Sequence, residues 1–97
     1  MSDNGKNDGI LSRKVEIGNQ YGIHARPAAM IVKTASRFRA DVTIERDGNR
    51  VSGKSIMGLM TLEASRGTRL MIFAEGPDAE QVLDELETLV NRNFDED

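Results

Sequence analysis

The sequence predicts an α+β domain, an open-faced two-layer sandwich in which helices cover one face of an antiparallel sheet. Three observations carry this. Apolar residues recur with a period that switches between two and about 3.6 along the chain, in the order β-α-β-β-α-β-α. A turn signal at Asp47-Gly48-Asn49 and short crossovers elsewhere favour antiparallel pairing. The 97 residues, 38% of them apolar, suit one domain with one modest core.

Residues 1–9 are polar and rich in Gly and Asn, and are expected to form a disordered N-terminal extension. The domain is expected over residues 10–93, followed by a solvated acidic tail over residues 94–97. Within the domain, Leu11, Arg13, Val15 and Ile17 alternate along a first strand, with Arg13 the polar exception on its face. A helix runs from Ala25 to about Phe38, with Ala28, Ile31, Val32, Ala35 and Phe38 as its apolar stripe. Residues 41–46 form a second strand and residues 50–52 the short strand returning from the hairpin. Ser55 to Leu62 reads as a short helix. Leu70, Ile72 and Ala74 line one face of a strand over residues 68–75. The last helix runs from Pro77 to about Asn91. Asp78 and Gln81 have capping-box spacing there, and Val82, Leu83, Leu86, Leu89 and Val90 form its buried stripe.

Composition excludes several functions. The net charge is −3, and the chain has no Trp and a single Tyr, so neither a phosphate-backbone binder nor base stacking is expected. There is no Cys and one His, which leaves no disulfide, no thiol chemistry and no expected metal site. No apolar run is long enough to span a membrane and no signal peptide is visible, so membrane insertion is not expected and the cytoplasm is the expected compartment.

Two segments carry chemistry. The first is Gly22-Ile23-His24-Ala25-Arg26-Pro27-Ala28, which places the only histidine at the mouth of a helix. Pro27 lies within the first turn, where its missing N–H breaks no helix bond. The first N–H groups of that helix lack internal partners and carry the positive end of the helix dipole, which favours an anion. Arg26 adds a forked donor suited to phosphate oxygens. His24 is therefore a candidate nucleophile for a transferable phosphoryl group, with Arg26 beside it; the plain alternative is a surface histidine at a helix cap.

The second segment is Lys54-Ser55-Ile56-Met57-Gly58-Leu59-Met60-Thr61-Leu62. Ser55 is a natural N-cap, able to accept from the N–H of Gly58, and is also a candidate regulatory phosphosite. Helical spacing sends Leu59 and Leu62 to the core and leaves Ile56, Met57 and Met60 facing outward. They form an adaptable protein-contact patch or, alternatively, fill a small core. Gly58 in mid-helix signals a close approach by another backbone or simply a weak helix.

Taken together, the two segments and the element order resemble the HPr family, the histidine-containing phosphocarriers of the bacterial phosphoenolpyruvate-dependent phosphotransferase system. The resemblance covers about residues 11–92. It implies a four-stranded antiparallel sheet covered on one side by three helices. It implies that His24 is phosphorylated by enzyme I through Nδ1, that Arg26 attends the phosphoryl group, and that Ser55 is the target of an HPr kinase/phosphorylase where one exists. It further implies that Ala29, Met30, Lys33, Ile56, Met57 and Met60 face enzyme I and the IIA components. A monomer needing no cofactor and no metal is expected, acting as a carrier with a phosphohistidine intermediate. Tyr21 stands where relatives often carry a small polar residue, Glu63 where many sugar-type members have Gly, and the turn over residues 66–69 and the Ala74-Glu75-Gly76 segment resemble the nitrogen-related branch as much as the sugar-transport branch, which leaves the branch open. The competing readings are a regulatory adaptor of the same fold acting mainly through Ser55, in nitrogen or carbon-catabolite control, and an unrelated ferredoxin-like module for RNA or a small ligand.

Overall fold

A computed structural model describes residues 9–96. The expected N-terminal extension, apart from Gly9, and Asp97 lie outside the described residues. Strands β1 (Leu11–Glu16), β2 (Asp41–Arg46), β3 (Asn49–Ser52) and β4 (Arg69–Glu75) and helices α1 (Ala25–Ala35), α2 (Ile56–Thr61) and α3 (Ala79–Asn91) follow the predicted order. The sheet runs β1-β4-β2-β3, with every pairing antiparallel.

The alternation read from sequence decides the faces. Val15, Val42, Ile44, Leu70, Ile72 and Ala74 are buried beneath the helices, while Thr43, Met71 and Phe73 occupy the uncovered face. Arg13 lies on the covered face because α3 supplies its partners: Nη1 donates to Asp84 Oδ1 at 2.9 Å and to Glu87 Oε1 at 2.6 Å. On the open face Arg50 stacks over the Phe73 ring at 4.2 Å. The hairpin turn is two residues, Asp47 and Gly48, both left-handed at φ 50° and 88°, so Asn49 opens β3 instead of finishing the turn.

Three expectations need correction. Helix α1 closes at Ala35, because the N–H groups of Arg37 and Phe38 turn to Thr34 O and Ala35 O in tighter three-residue bonds. As a result Phe38, like Val32, is only half-buried. Helix α3 begins at Ala79, and its N-cap Asp78 makes no side-chain capping bond. Its carboxylate accepts from the backbone N–H groups of Arg39 at 2.9 Å and Ala40 at 2.8 Å, so the capping box with Gln81 does not form.

The third correction concerns the chain end. Residues 94–97 are not a solvated tail at Phe94 and Glu96. Asn93, Phe94 and Asp95 take a left-handed turn at φ 56°, 55° and 59°, which folds the chain back and buries Phe94 completely. Burying an aromatic side chain offsets the strain of three left-handed non-glycine residues. Among the described residues no helix is long and apolar enough to cross a membrane.

Candidate active site

The loop between β1 and α1 is held by the neighbouring loop over residues 62–68. Ile17 N–H donates to Thr68 O, Gly67 N–H to Ile17 O and Ile23 N–H to Ala64 O, at 2.7–2.9 Å. Gly22 makes the tight approach at φ 66°, where a Cβ would come within 2.2 Å of Ala64 O. Asn19, fully buried, donates from Nδ2 to Gly22 O at 2.8 Å and closes the turn from inside. Ile23 is buried next to it, and the chain then emerges at His24.

His24 is the N-cap residue of α1, with extended backbone and no side-chain capping bond, so its ring stands clear of the helix it precedes. Its side chain is 43% exposed. The N–H groups of Ala25 and Arg26 begin the helix behind it without intrahelical partners, as the sequence predicted. Tyr21, 72% exposed, meets the imidazole edge-to-face at 6.4 Å between ring centres. A cavity of about 460 Å³ opens here between Gln20, Tyr21, His24, Arg26, Asp95 and Glu96.

Sequence reasoning missed two members of this site, Asn19 and Glu96. Glu96 Oε2 lies 3.1 Å from His24 Nε2 and 3.2 Å from Arg26 Nη1, and its Oε1 accepts from Asn19 Nδ2 at 2.9 Å. Only 16% of the Glu96 side chain is exposed. The Asn19 amide, followed by the Arg26 guanidinium and the His24 ring, holds the Glu96 carboxyl below the usual carboxylate range, against partial desolvation. A carboxylate at Nε2 requires the proton on Nε2, which leaves the lone pair of a neutral ring on Nδ1. The local signal was Phe94, an apolar residue standing in an otherwise polar chain end.

The second segment lies where helical spacing put it. Ser55 caps α2 and its Oγ accepts from Gly58 N–H at 3.0 Å. Leu59 and Leu62 are buried, while Ile56, Met60 and above all Met57, 80% exposed, face solvent. Among the described residues no other backbone makes the close approach expected at Gly58: the atoms nearest to where a Cβ would stand are side-chain atoms, Ser55 Oγ at 3.1 Å and Val51 Cβ on β3 at 3.3 Å. Helix α2 packs against α1, on which Ala29 and Lys33 are exposed and Met30 is half-buried. Among the described residues no group of His, Asp and Glu side chains is arranged to hold a metal ion.

Residues 11–92 match the family model described as PTS HPr component phosphorylation site. The phosphocarrier protein HPr of Treponema pallidum is 44% identical over 88 residues, covering 91% of this chain and all of that protein. The HPr-like protein Crh of Bacillus subtilis is 44% identical over 81 residues, covering 84% of this chain and 95% of that protein. Among solved structures, HPr of Thermoanaerobacter tengcongensis superposes with a TM-score of 0.86 at 41% identity, covering 90% of this chain and 98% of that one.

Proposed function

This chain belongs to the HPr family of phosphocarrier proteins, and from that premise we propose that His24 carries the phosphoryl group and Arg26 attends it. The chain works within the phosphotransferase system, taking a phosphoryl group that originates in phosphoenolpyruvate from enzyme I and passing it to IIA components. The observation that carries the residue assignment is the exposed His24 ring at the mouth of α1, with Nε2 engaged by Glu96 and Nδ1 free of that contact.

The transfer follows from that arrangement. The Nδ1 lone pair attacks the phosphorus of the phosphoryl group carried by the donor. The bond between that phosphorus and the donor breaks, and its electron pair returns to the donor. Arg26 and the unpaired N–H groups at the start of α1 stabilise the oxygens of the group in passage. Donation to the acceptor is the same displacement in reverse. The carrier is proposed to act as a monomer. The cytoplasm is the proposed compartment, in keeping with the phosphocarrier family the chain belongs to.

Docking falls to the exposed surface flanking His24, formed by Ala29, Met30 and Lys33 on α1 and Ile56, Met57 and Met60 on α2. Ser55 adds a compatible regulatory layer. Phosphate on its Oγ brings about two negative charges beside Ile56 and Met57. A protein acting only through Ser55 would not need His24 and Arg26 arranged for transfer, and this favours the carrier over the adaptor.

The deciding experiment incubates the protein with enzyme I, Mg²⁺ and phosphoenolpyruvate and weighs it intact under non-acidic conditions. One acid-labile phosphoryl group, lost in His24→Ala, is expected. A His24→Ala protein that still accepts and passes phosphate at the normal rate would end the reading.

A further inference from the structure

We propose that Glu96 is a positioning residue for phosphoryl transfer, acting on His24 through Nε2 as the carboxylate of a hydrolase triad acts on its histidine. The inference rests on His24 being the phosphoryl acceptor. A glutamate outside the helices and strands ordinarily projects into water, yet the Glu96 side chain is largely covered and meets three donors: Asn19 Nδ2, His24 Nε2 and Arg26 Nη1.

The fold holds it there by independent means. Phe94 is fully buried and fixes the chain end to the core. The left-handed turn over Asn93–Asp95 then aims Glu96 back across the loop, and Arg92 Nε donates to Asp95 Oδ1 at 3.1 Å to brace the turn. Gly18 makes room for this: a Cβ there would stand 2.8 Å from Asn93 Oδ1. Asn19 is buried with its Oδ1 unpartnered among the described residues. A buried acceptor left unpaired is costly. The amide keeps this orientation because Nδ2 serves two acceptors at once, Gly22 O and Glu96 Oε1.

The chemistry needs such a carboxylate. As Nδ1 forms its bond to phosphorus, the imidazole acquires positive charge, and the Nε2–H becomes a stronger donor. Glu96 receives that hydrogen bond without taking the proton, holds the ring in the tautomer whose lone pair is on Nδ1, and stabilises the charge as it develops. It touches the nitrogen that does not react, so the incoming anion and the carboxylate lie on different sides of the ring. By also gripping Arg26, it sets the guanidinium beside the imidazole before the phosphoryl group arrives.

The test pairs a rate with a spectroscopic signature. Phosphorylated enzyme I is mixed with the intact protein, Glu96→Gln or Glu96→Ala in a rapid-quench single turnover, and the ring ¹⁵N shifts of His24 are recorded for each protein without phosphate. Acceptance is expected to slow about tenfold in Glu96→Ala and less in Glu96→Gln, whose amide oxygen still accepts from Nε2–H. The ring is expected to move from the Nε2–H form to a mixture of tautomers in Glu96→Ala. An unchanged rate would overturn the proposal, as would a slowed rate with the Nε2–H tautomer intact, which would make Glu96 merely structural. If the intact protein accepts no phosphate at all, the acceptor reading falls and takes the transfer role of Glu96 with it. The tautomer shifts then show separately whether Glu96 orients the ring.

Discussion

Asn19 and Glu96, 77 residues apart in sequence, are joined by a hydrogen bond of 2.9 Å between Nδ2 and Oε1. Because the same nitrogen donates to Gly22 O, the turn before His24 and the chain end are braced by one buried amide. Asn19→Ala removes both bonds and leaves Gly22 O without its side-chain donor. Unfolding in urea is expected to show a loss of about 2–3 kcal/mol. The amides of residues 94–96 are expected to gain mobility in ¹⁵N relaxation. A variant as stable as the parent, with an unaltered chain end, would show that the brace is dispensable.

Much of this site was readable locally and some of it was not. The Ser55 cap, the inward Leu59 and the outward Met57 follow from helical spacing within a few residues, which sequence displays directly. Asp78 has the spacing of a capping box with Gln81, yet its partners are the N–H groups of Arg39 and Ala40, which only the tertiary fold brings near. Arg13 looked misplaced on an apolar strand face until α3 supplied Asp84 and Glu87. Glu96 offered no periodicity at all. Its place depends on the burial of Phe94 and on a left-handed turn of residues with no glycine among them, a conformation that intrinsic preference argues against.

Gly22 and Gly67 both have positive φ, at 66° and 90°, but their surroundings differ. A Cβ on Gly22 meets Ala64 O at 2.2 Å and Ser65 Cα at 2.8 Å, backbone atoms that cannot rotate away, whereas nothing lies within 4 Å of one on Gly67. Gly67→Ala is expected to cost about 1 kcal/mol, the conformational penalty alone. Gly22→Ala is expected to cost more than about 2 kcal/mol and to displace Ile23 and His24, slowing phosphoryl acceptance as well. Equal losses in denaturant for the two variants would show that the contact with Ala64 does not shape the loop.

The capping role of Ser55 is separable from its proposed regulatory one. As N-cap it satisfies Gly58 N–H, and helix α2, six residues long, has little other means of closing its first turn. Ser55→Ala is expected to lower stability by about 1 kcal/mol with little effect on transfer from enzyme I. Ser55→Asp keeps a capping oxygen and adds one negative charge beside Ile56 and Met57. It is expected to retain stability and to bind phosphorylated enzyme I more weakly. If the alanine variant slows transfer as much as the aspartate variant, the cap rather than the charge controls docking.

Asp78 makes the acid limb of stability testable. Its carboxyl is held below the ordinary carboxylate range, chiefly by the hydrogen bond from Arg39 N–H and then by the bond from Ala40 N–H, against some desolvation. A carboxyl with a depressed folded value binds protons more readily in the unfolded chain. Its contribution is therefore complete above the ordinary value, near about 4, and is lost as pH falls through the depressed one. Glu96 is depressed as well and titrates in the same direction, so the whole protein's acid limb cannot be assigned to Asp78 alone. Asp78→Asn isolates it, since an amide can accept from only one of the two N–H groups and turns its own N–H₂ toward the other. The stability difference between parent and variant, measured by urea unfolding from about pH 7 to about pH 2, is expected to stay constant down to about pH 4 and then to shrink. A difference that persists unchanged to the acid end would mean that the two bonds at Asp78 do not depend on its charge.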